Sequence, residues 1–507
     1  MTVPWLTLLG LLPLLGAGVL CLPVKQVAKG IGMTFALATA GLGLAVAGLH
    51  GGGVDLSETV PWIPQFGASW ALGLDGMSLV MMLLTVILTP AVLLAEWKLA
   101  DTSLSRWGSQ AFFGLVLALE SLSIFVFLAN DVLLFYLMFE ATLIPMYFLI
   151  GGYGGHRRSY AAVKFLLFSL AGGLIMLGSV VGLYAESSRQ LGAPTYLLSN
   201  LTALQFGPGN TVGMLLMLGF LIAFIIKAPM VPVHSWLPTA AQESTPGTSV
   251  LLVGVLDKIG TFGMIKFCLM LFPDASREVG PIMIVLALIS IIYGAVAAIG
   301  SKDLLRLVAY TSVSHFGFMV LGIYTFTTGG MSGTIFYMLN HGFSTAALFL
   351  VLGFLISRRG SAAVNAFGGV EKVAPVLAGS VLLAGLSSLA LPGMSSFVSE
   401  FMVLAGAWSR EPWVAAVAVL GTVLAAVYIL LMYQRTMTGP VTEQVKDHVT
   451  SDLGVREKLV AGVLVAIILV LGFVPQLALT TIEPTAVQTL NHAGVSDPVA
   501  PFGEEAK

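Results

Sequence analysis

Residues 225–238 read IIKAPMVPVHSWLP, and this stretch decides the fold. It lies inside an apolar segment of membrane-spanning length, yet it carries Pro229, Pro232 and Pro238, with Lys227 just before the first. Proline removes a helix hydrogen bond and clashes with the preceding turn. Such a break survives in a bilayer only against protein or a water-filled cavity. A second stretch, LALPGMSSFVSEF at residues 389–401, is interrupted in the same way by Pro392 and Gly393, followed by Ser395 and Ser396.

The rest of the chain is built for lipid. Its 507 residues are 57% hydrophobic and only 9% charged, against about 25% charged in a soluble domain. A helix crosses a bilayer with roughly 20 apolar residues. Segments of that length fall near 3–22, 28–49, 76–95, 110–129, 132–151, 160–184, 211–242, 247–272, 281–300, 304–325, 331–356, 374–408, 413–434 and 458–478. The expectation is an all-α polytopic membrane protein of about 14 transmembrane helices, because long apolar runs, unlike alternating ones, exclude a barrel. The first run has no Lys or Arg before it and so reads as a retained span, not a cleaved signal.

Basic residues set the expected topology. With the N-terminus outside, inside loops and their edges hold Lys25, Lys29, Lys98, Arg106, Arg157, Arg158, Lys302, Arg306, Arg358, Arg359, Lys372, Arg435, Lys446, Arg456 and Lys458. Outside segments hold only Arg189, Arg277, Arg410 and Lys507. That asymmetry places both termini on the outer face. The broken segments are the seventh and twelfth spans, each the fourth of a five-span unit. Five is odd, so the two units lie inverted, and matching interrupted helices in inverted repeats point to a transporter's pathway. The expected organisation is a three-helix segment (1–107), a first repeat (108–275), a second repeat (276–437), and a last helix with a tail (438–507).

Charges inside these spans are the candidate site. An ionisable residue at the bilayer centre costs roughly 2.5–3.5 kcal/mol on insertion scales and is functional by default. Mid-span positions hold Glu140, Lys227, Lys258, His315 and His341; Glu400 follows the second break. These six are the expected proton-carrying residues, with Glu120, Asp257, His234 and Lys164 as secondary candidates. The residue types suit proton transfer. Burial and a neighbouring carboxylate act oppositely on a lysine, and histidine passes a proton between its two ring nitrogens. Ser and Thr at the breaks organise bridging water. Bland readings stand beside these. Lys164 and Lys266 lie nearer span ends, where snorkelling is the alternative, and either histidine is also readable as a packing residue. Glu120 and Asp257 read equally as neutralising partners of a nearby lysine. Asp131 and Asp303 begin spans and read as caps.

Other chemistry is excluded or unsupported. The net charge is −2 with no basic stripe for nucleic acid. Cys21 and Cys268 are 247 positions apart, which matches no metal or cluster spacing, and both read as small buried hydrophobes. Neither a P-loop nor a Gly-rich dinucleotide turn is present. No cofactor is expected on this chain.

The chain resembles the antiporter-like subunits of respiratory NADH:quinone oxidoreductase, and the related Mrp-type cation/proton antiporters, along nearly its whole length. The carrying strings are LGLDGMSL (72–79), FYLMFEATLIPMYFLIGGYG (135–154), KAPMVPVHSWLPTAAQESTP (227–246), LLRLVAYTSVSHFGFM (304–319), NHGFSTAALF (340–349) and LPGMSSFVSEF (391–401). The resemblance implies that Glu140 and Lys227 are the paired acid and base of spans five and seven, Lys258 the connecting lysine, and Glu400 the terminal acid. Sibling L and N branches typically carry lysine at that last position, so Glu400 implies the M branch. Asp257, beside Lys258, departs from the family pattern and is expected to trap that lysine as an ion pair. The resemblance further implies a bacterial inner-membrane subunit with L- and N-type siblings as partners, and NADH, FMN, iron–sulfur clusters and quinone carried elsewhere in the complex. The alternatives are an Mrp-type Na⁺/H⁺ antiporter subunit and the membrane subunit of a proton-pumping hydrogenase.

Overall fold

Apolar runs flanked by good caps fold as helices almost everywhere in the computed structural model, which describes residues 3–98 and 107–498. Arg106 and Lys507, used in the charge count above, lie outside the described residues. Aspartates start several helices: Asp75 accepts from Ser78 N, Asp131 from Leu133 N and Leu134 N, and Asp303 from Arg306 N. Each thereby satisfies backbone donors that a helix start leaves orphaned. Asp131 also accepts from Ser69 N.

Among the described residues, nine helices are long and apolar enough to cross a membrane, or ten if a bent pair near the C-terminus counts as one span. The described residues form two compact units. The first holds everything up to Lys227 together with Ser235–Gly263; the second holds Ala228–His234 and the residues from Met264 onward.

In the first unit, the helices Trp5–Val19, Ala28–Gly51, Gly76–Ala95, Ser109–Leu128 and Arg158–Leu191 pack with a span interrupted at Thr142. That span, Val132–Ala141 followed by Leu143–Tyr153, keeps helical backbone angles at Thr142 and loses a helix hydrogen bond because Pro145 has no N–H to return to Ala141. Thr211–Lys227 then leads to the first break and to the short helix Trp236–Glu243. Beyond Pro246–Val250 the backbone widens into a π-helical stretch, Leu251–Leu256, before Lys258–Gly263.

The second unit opens with another π-helical stretch, Met264–Leu269, followed by Pro273–Ile299, Leu304–Tyr324 and Thr328–Arg359. Pro375–Ser388 and Ser395–Arg410 flank the second break, and Pro412–Met437 and Val455–Phe473 follow. Burial separates core helices from lipid-facing ones. The apolar window of Thr328–Arg359 is 94% buried and that of Leu304–Tyr324 is 89%, whereas that of Ala28–Gly51 is only 28%. Of the nine long apolar helices these two are the most buried, and they carry His341 and His315.

The structure departs from the sequence reading in three places. A two-stranded antiparallel hairpin, Glu58–Ile63 with Ala68–Leu72, stands between the second and third spans, turning through Gly67 at φ 60°. Residues 479–492, read as tail, belong to the helix Gln476–His492, set at 65° to Val455–Phe473. Arg277 and His492 anchor its end through hydrogen bonds of Arg277 Nη1 to Ala493 O and of His492 Nε2 with Met270 O. Finally, Cys268 is buried as expected but Cys21 is exposed, because it follows the helix Trp5–Val19 in a turn and not inside the packed run.

Candidate functional site

The first break leaves Lys227 as the last residue of Thr211–Lys227, 1% exposed. Its Nζ sits 5.4 Å from the centroid of the Phe139 ring and 5.5 Å from that of Phe165, a cation–π roof. It feels the charges of two carboxylates, Asp257 and Glu140. It touches neither: Lys227 Nζ, Glu140 Oε1 and both oxygens of Asp257 make no hydrogen bond among the described residues. Buried polar groups in proteins nearly always find a partner, and a spacing beyond direct contact is what a bridging water spans. The site thus holds an ammonium and two carboxylates that act on one another through space, with no hydrogen bond joining them.

Local structure explains how each group arrives there. Glu140 packs on Gly173 of Arg158–Leu191, where an added Cβ would overlap its Oε1. The carbonyl of Ile226, in the last turn before the break, accepts from Trp236 Nε1 at 3.0 Å. The indole thus restitches the interrupted helix from its far side. Lys164 donates to Ser235 O at 2.7 Å and to Thr239 Oγ1 at 3.0 Å, so it fastens the short helix after the break.

Asp257 and Lys258 follow the π-helical stretch directly. The backbone N–H of Asp257 donates to Leu252 O, five residues back, and Lys258 Nζ donates to Val253 O at 3.0 Å. π-turns inside helices are frequent at functional sites because the widened turn frees backbone acceptors. Asp257 feels Lys227 and Lys258 together. Glu120, in Ser109–Leu128, is 2% exposed, with the hydroxyl of Thr89 as its polar neighbour.

In the second unit the buried groups are in direct contact. Glu400 accepts from Tyr337 Oη through Oε2 at 2.8 Å and from Thr422 Oγ1 through Oε1. His315 Nε2 and Tyr428 Oη are 3.1 Å apart, and the rings of His315 and His341 meet edge-on at 5.1 Å. Asn340 Nδ2 donates to Ser395 O at 2.9 Å and to Ser399 Oγ at 3.3 Å, tying the helix after the second break to Thr328–Arg359. The break itself holds Ala390 at φ 57° and Gly393 at φ 92°. His234 lies against Tyr293, with ring centroids 4.8 Å apart, and Val231 N donates to Ser290 Oγ.

The structure therefore gathers Glu140, Lys227 and Asp257 in one unit, with Lys258 next to Asp257, and His315, His341 and Glu400 in the other. Lys164 is bonded to Ser235 and Thr239, and His234 packs against Tyr293. Sequence reading missed Tyr337, Thr422 and Tyr428, whose only signal is a hydroxyl in an apolar run. It also missed Glu96, a buried carboxylate that accepts from Gly247 N at 2.5 Å and so caps the helix leading to Lys258.

Comparison with known proteins places the chain in a family. Residues 129–425 match the family model described as NADH:quinone oxidoreductase/Mrp antiporter, TM. NADH-quinone oxidoreductase subunit M of Mycobacterium tuberculosis (strain CDC 1551 / Oshkosh) is 46% identical over 98% of this chain and 96% of its own length. Subunit M of Escherichia coli (strain K12) is 37% identical over 95% and 96%. A chain of the respiratory complex I from Thermus thermophilus with bound NADH superposes with a TM-score of 0.87 at 31% identity, over 97% of this chain and all of that one. The chain belongs to the NADH:quinone oxidoreductase/Mrp antiporter family, in its subunit M branch.

Proposed function

We propose that this chain is a proton-translocating membrane-arm subunit of an NADH:quinone oxidoreductase. The observation that carries the reading is Lys227, buried at a helix break and coupled to Glu140 and Asp257 without direct contact. Full-length likeness to subunit M proteins supplies the assembly. A lone lysine in an apolar interior is costly, and one held between two carboxylates can exchange a proton each time their charges change. Protons enter at Lys227 from the cytoplasmic side, pass Lys258 and the histidines, and leave by Glu400. Redox energy arrives from neighbouring subunits as an electrostatic or conformational change. The chain carries no redox site of its own.

The finer architecture belongs to the same reading. Besides the nine long apolar helices, the segments at 5–19, 211–243, 246–271, 375–410 and 455–473 bring the count to fourteen spans. The two broken segments are then the equivalent fourth helices of inverted repeats at 108–275 and 276–437. The partners are L- and N-type siblings, and the site of action is a bacterial inner membrane, with both termini on the outer face. The 46% identity to a subunit M, together with Glu400, favours this reading over an Mrp-type antiporter subunit.

Lys227→Ala is the test. In the assembled complex reconstituted into vesicles, it should abolish or sharply reduce protons moved per NADH oxidised. A wild-type ratio in that variant would sink the assignment.

A further inference from the structure

Two buried phenols in the second unit have no packing reason to carry a hydroxyl. Tyr337 and Tyr428 are 0% and 1% exposed, and phenylalanine would fill the same volume without a polar atom to satisfy. Burying a hydroxyl costs free energy unless it is hydrogen-bonded. Both are bonded here, and both to groups that carry protons. Tyr337 Oη donates to Glu400 Oε2, and Tyr428 Oη meets His315 Nε2. The two phenols also connect to each other's surroundings. Tyr428 feels the charge of Glu400, and Tyr337 feels Tyr428. The Tyr337 ring lies 5.8 Å from that of His315 and 6.5 Å from that of His341. Thr422, six residues before Tyr428 on Pro412–Met437, holds the other oxygen of Glu400.

We propose that Tyr428 and Tyr337 are a hydroxyl relay that carries protons between His315 and Glu400, with Thr422 holding the carboxylate in position. The inference rests on the proton-translocating reading above. In the forward step, protonated His315 gives its Nε2 proton to Tyr428 Oη as Tyr428 releases its own hydroxyl proton. One water passes that proton to Tyr337, and Tyr337 releases its hydroxyl proton to Glu400 Oε2. One N–H bond breaks at His315 and one O–H bond forms at Glu400. Both tyrosines and the water end as they began, neutral. Afterwards the Tyr337 hydroxyl must rotate, because the oxygen it donated to now carries a proton.

The test uses the whole complex in vesicles, with Tyr428→Phe, Tyr337→Phe and Glu400→Gln compared side by side. Each Phe variant should lower protons moved per NADH as far as Glu400→Gln does, and the double variant should be no worse than either single. Infrared difference spectra separate relay from packing. The carboxyl band of Glu400 should shift in Tyr337→Phe, which loses its hydrogen-bond donor, and stay in place in Tyr428→Phe despite the lost yield. If Tyr337→Phe fails to assemble, the Tyr428→Phe yield decides. Wild-type yield in Tyr428→Phe with a depressed yield in Glu400→Gln overturns the relay and leaves the functional reading standing. Wild-type yield in Glu400→Gln itself overturns the functional reading on which the relay depends.

Discussion

Lys258 donates to the carbonyl of Val253, five residues back, at 3.0 Å. Ordinary helix geometry commits each carbonyl to the N–H four residues on; the π-helical stretch Leu251–Leu256 lets this one accept a side-chain ammonium. Asp257 beside it acts on the lysine electrostatically, while its own carboxylate oxygens make no hydrogen bond among the described residues. The expected Asp257–Lys258 trap is not a hydrogen-bonded one.

Replacing Lys258 with Met keeps the volume and removes both the charge and the bond to Val253. Hydrogen bonds from charged groups are worth about 1.5–3 kcal/mol, but the removal of a buried charge offsets that loss, so assembly should persist. Proton yield per NADH in reconstituted vesicles should fall sharply. Retention of the full yield would remove Lys258 from the path.

Gly173→Ala tests the seat of Glu140. The new methyl would overlap Glu140 Oε1, pushing the carboxylate away from its place near Lys227. Gly178→Ala, one and a half turns further along the same helix with open space around it, is the control. Proton yield should drop several-fold in the first and stay at wild type in the second. Equal behaviour of the two would mean that the position of Glu140 does not matter.

Trp236→Phe removes the donor that satisfies Ile226 O at the first break. A buried acceptor left without its partner costs about 1–3 kcal/mol. The complex should assemble with a lower midpoint of thermal inactivation, readable by following NADH oxidation after graded heating. An unchanged midpoint would show that the break needs no restitching.

Asp452, outside the spans, caps the helix Pro375–Ser388 from a distance, accepting from Val376 N at 2.8 Å and Leu377 N at 2.9 Å. Burial raises its pKa, but bonds from Val376, Leu453 and Leu377 and the charge of Lys458 outweigh it, so the net shift is downward. A carboxylate depressed in the folded state stabilises above its unfolded pKa of about 3.9, and that stabilisation is lost as pH falls through the lower folded value. Asp452→Ala should therefore lower thermal stability at neutral pH, by about 0.5–2 kcal/mol as caps generally do. The gap from wild type should close only below about pH 4. A gap that is already closed at pH 6 would contradict the assignment.

Much of this protein was written in its sequence. Apolar run length fixed the helices, because a backbone in lipid has to satisfy itself locally. The two proline breaks, and the charges beside them, stood out because lipid tolerates neither without cause. Lys227, Glu140, Glu400 and the two histidines were legible for that reason alone. The tertiary structure decided what periodicity and composition do not encode. Which carboxylate faces which ammonium depends on helices far apart in sequence, so the coupling of Lys227 to Asp257 as well as Glu140 appears only on packing. The π-turns before Lys258 and after Gly263 leave no mark in hydropathy. Tyr337, Thr422 and Tyr428 look like ordinary core residues until folding aims their hydroxyls at Glu400 and His315. Hydropathy is a property of each segment; a hydrogen bond between two helices is a property of their meeting.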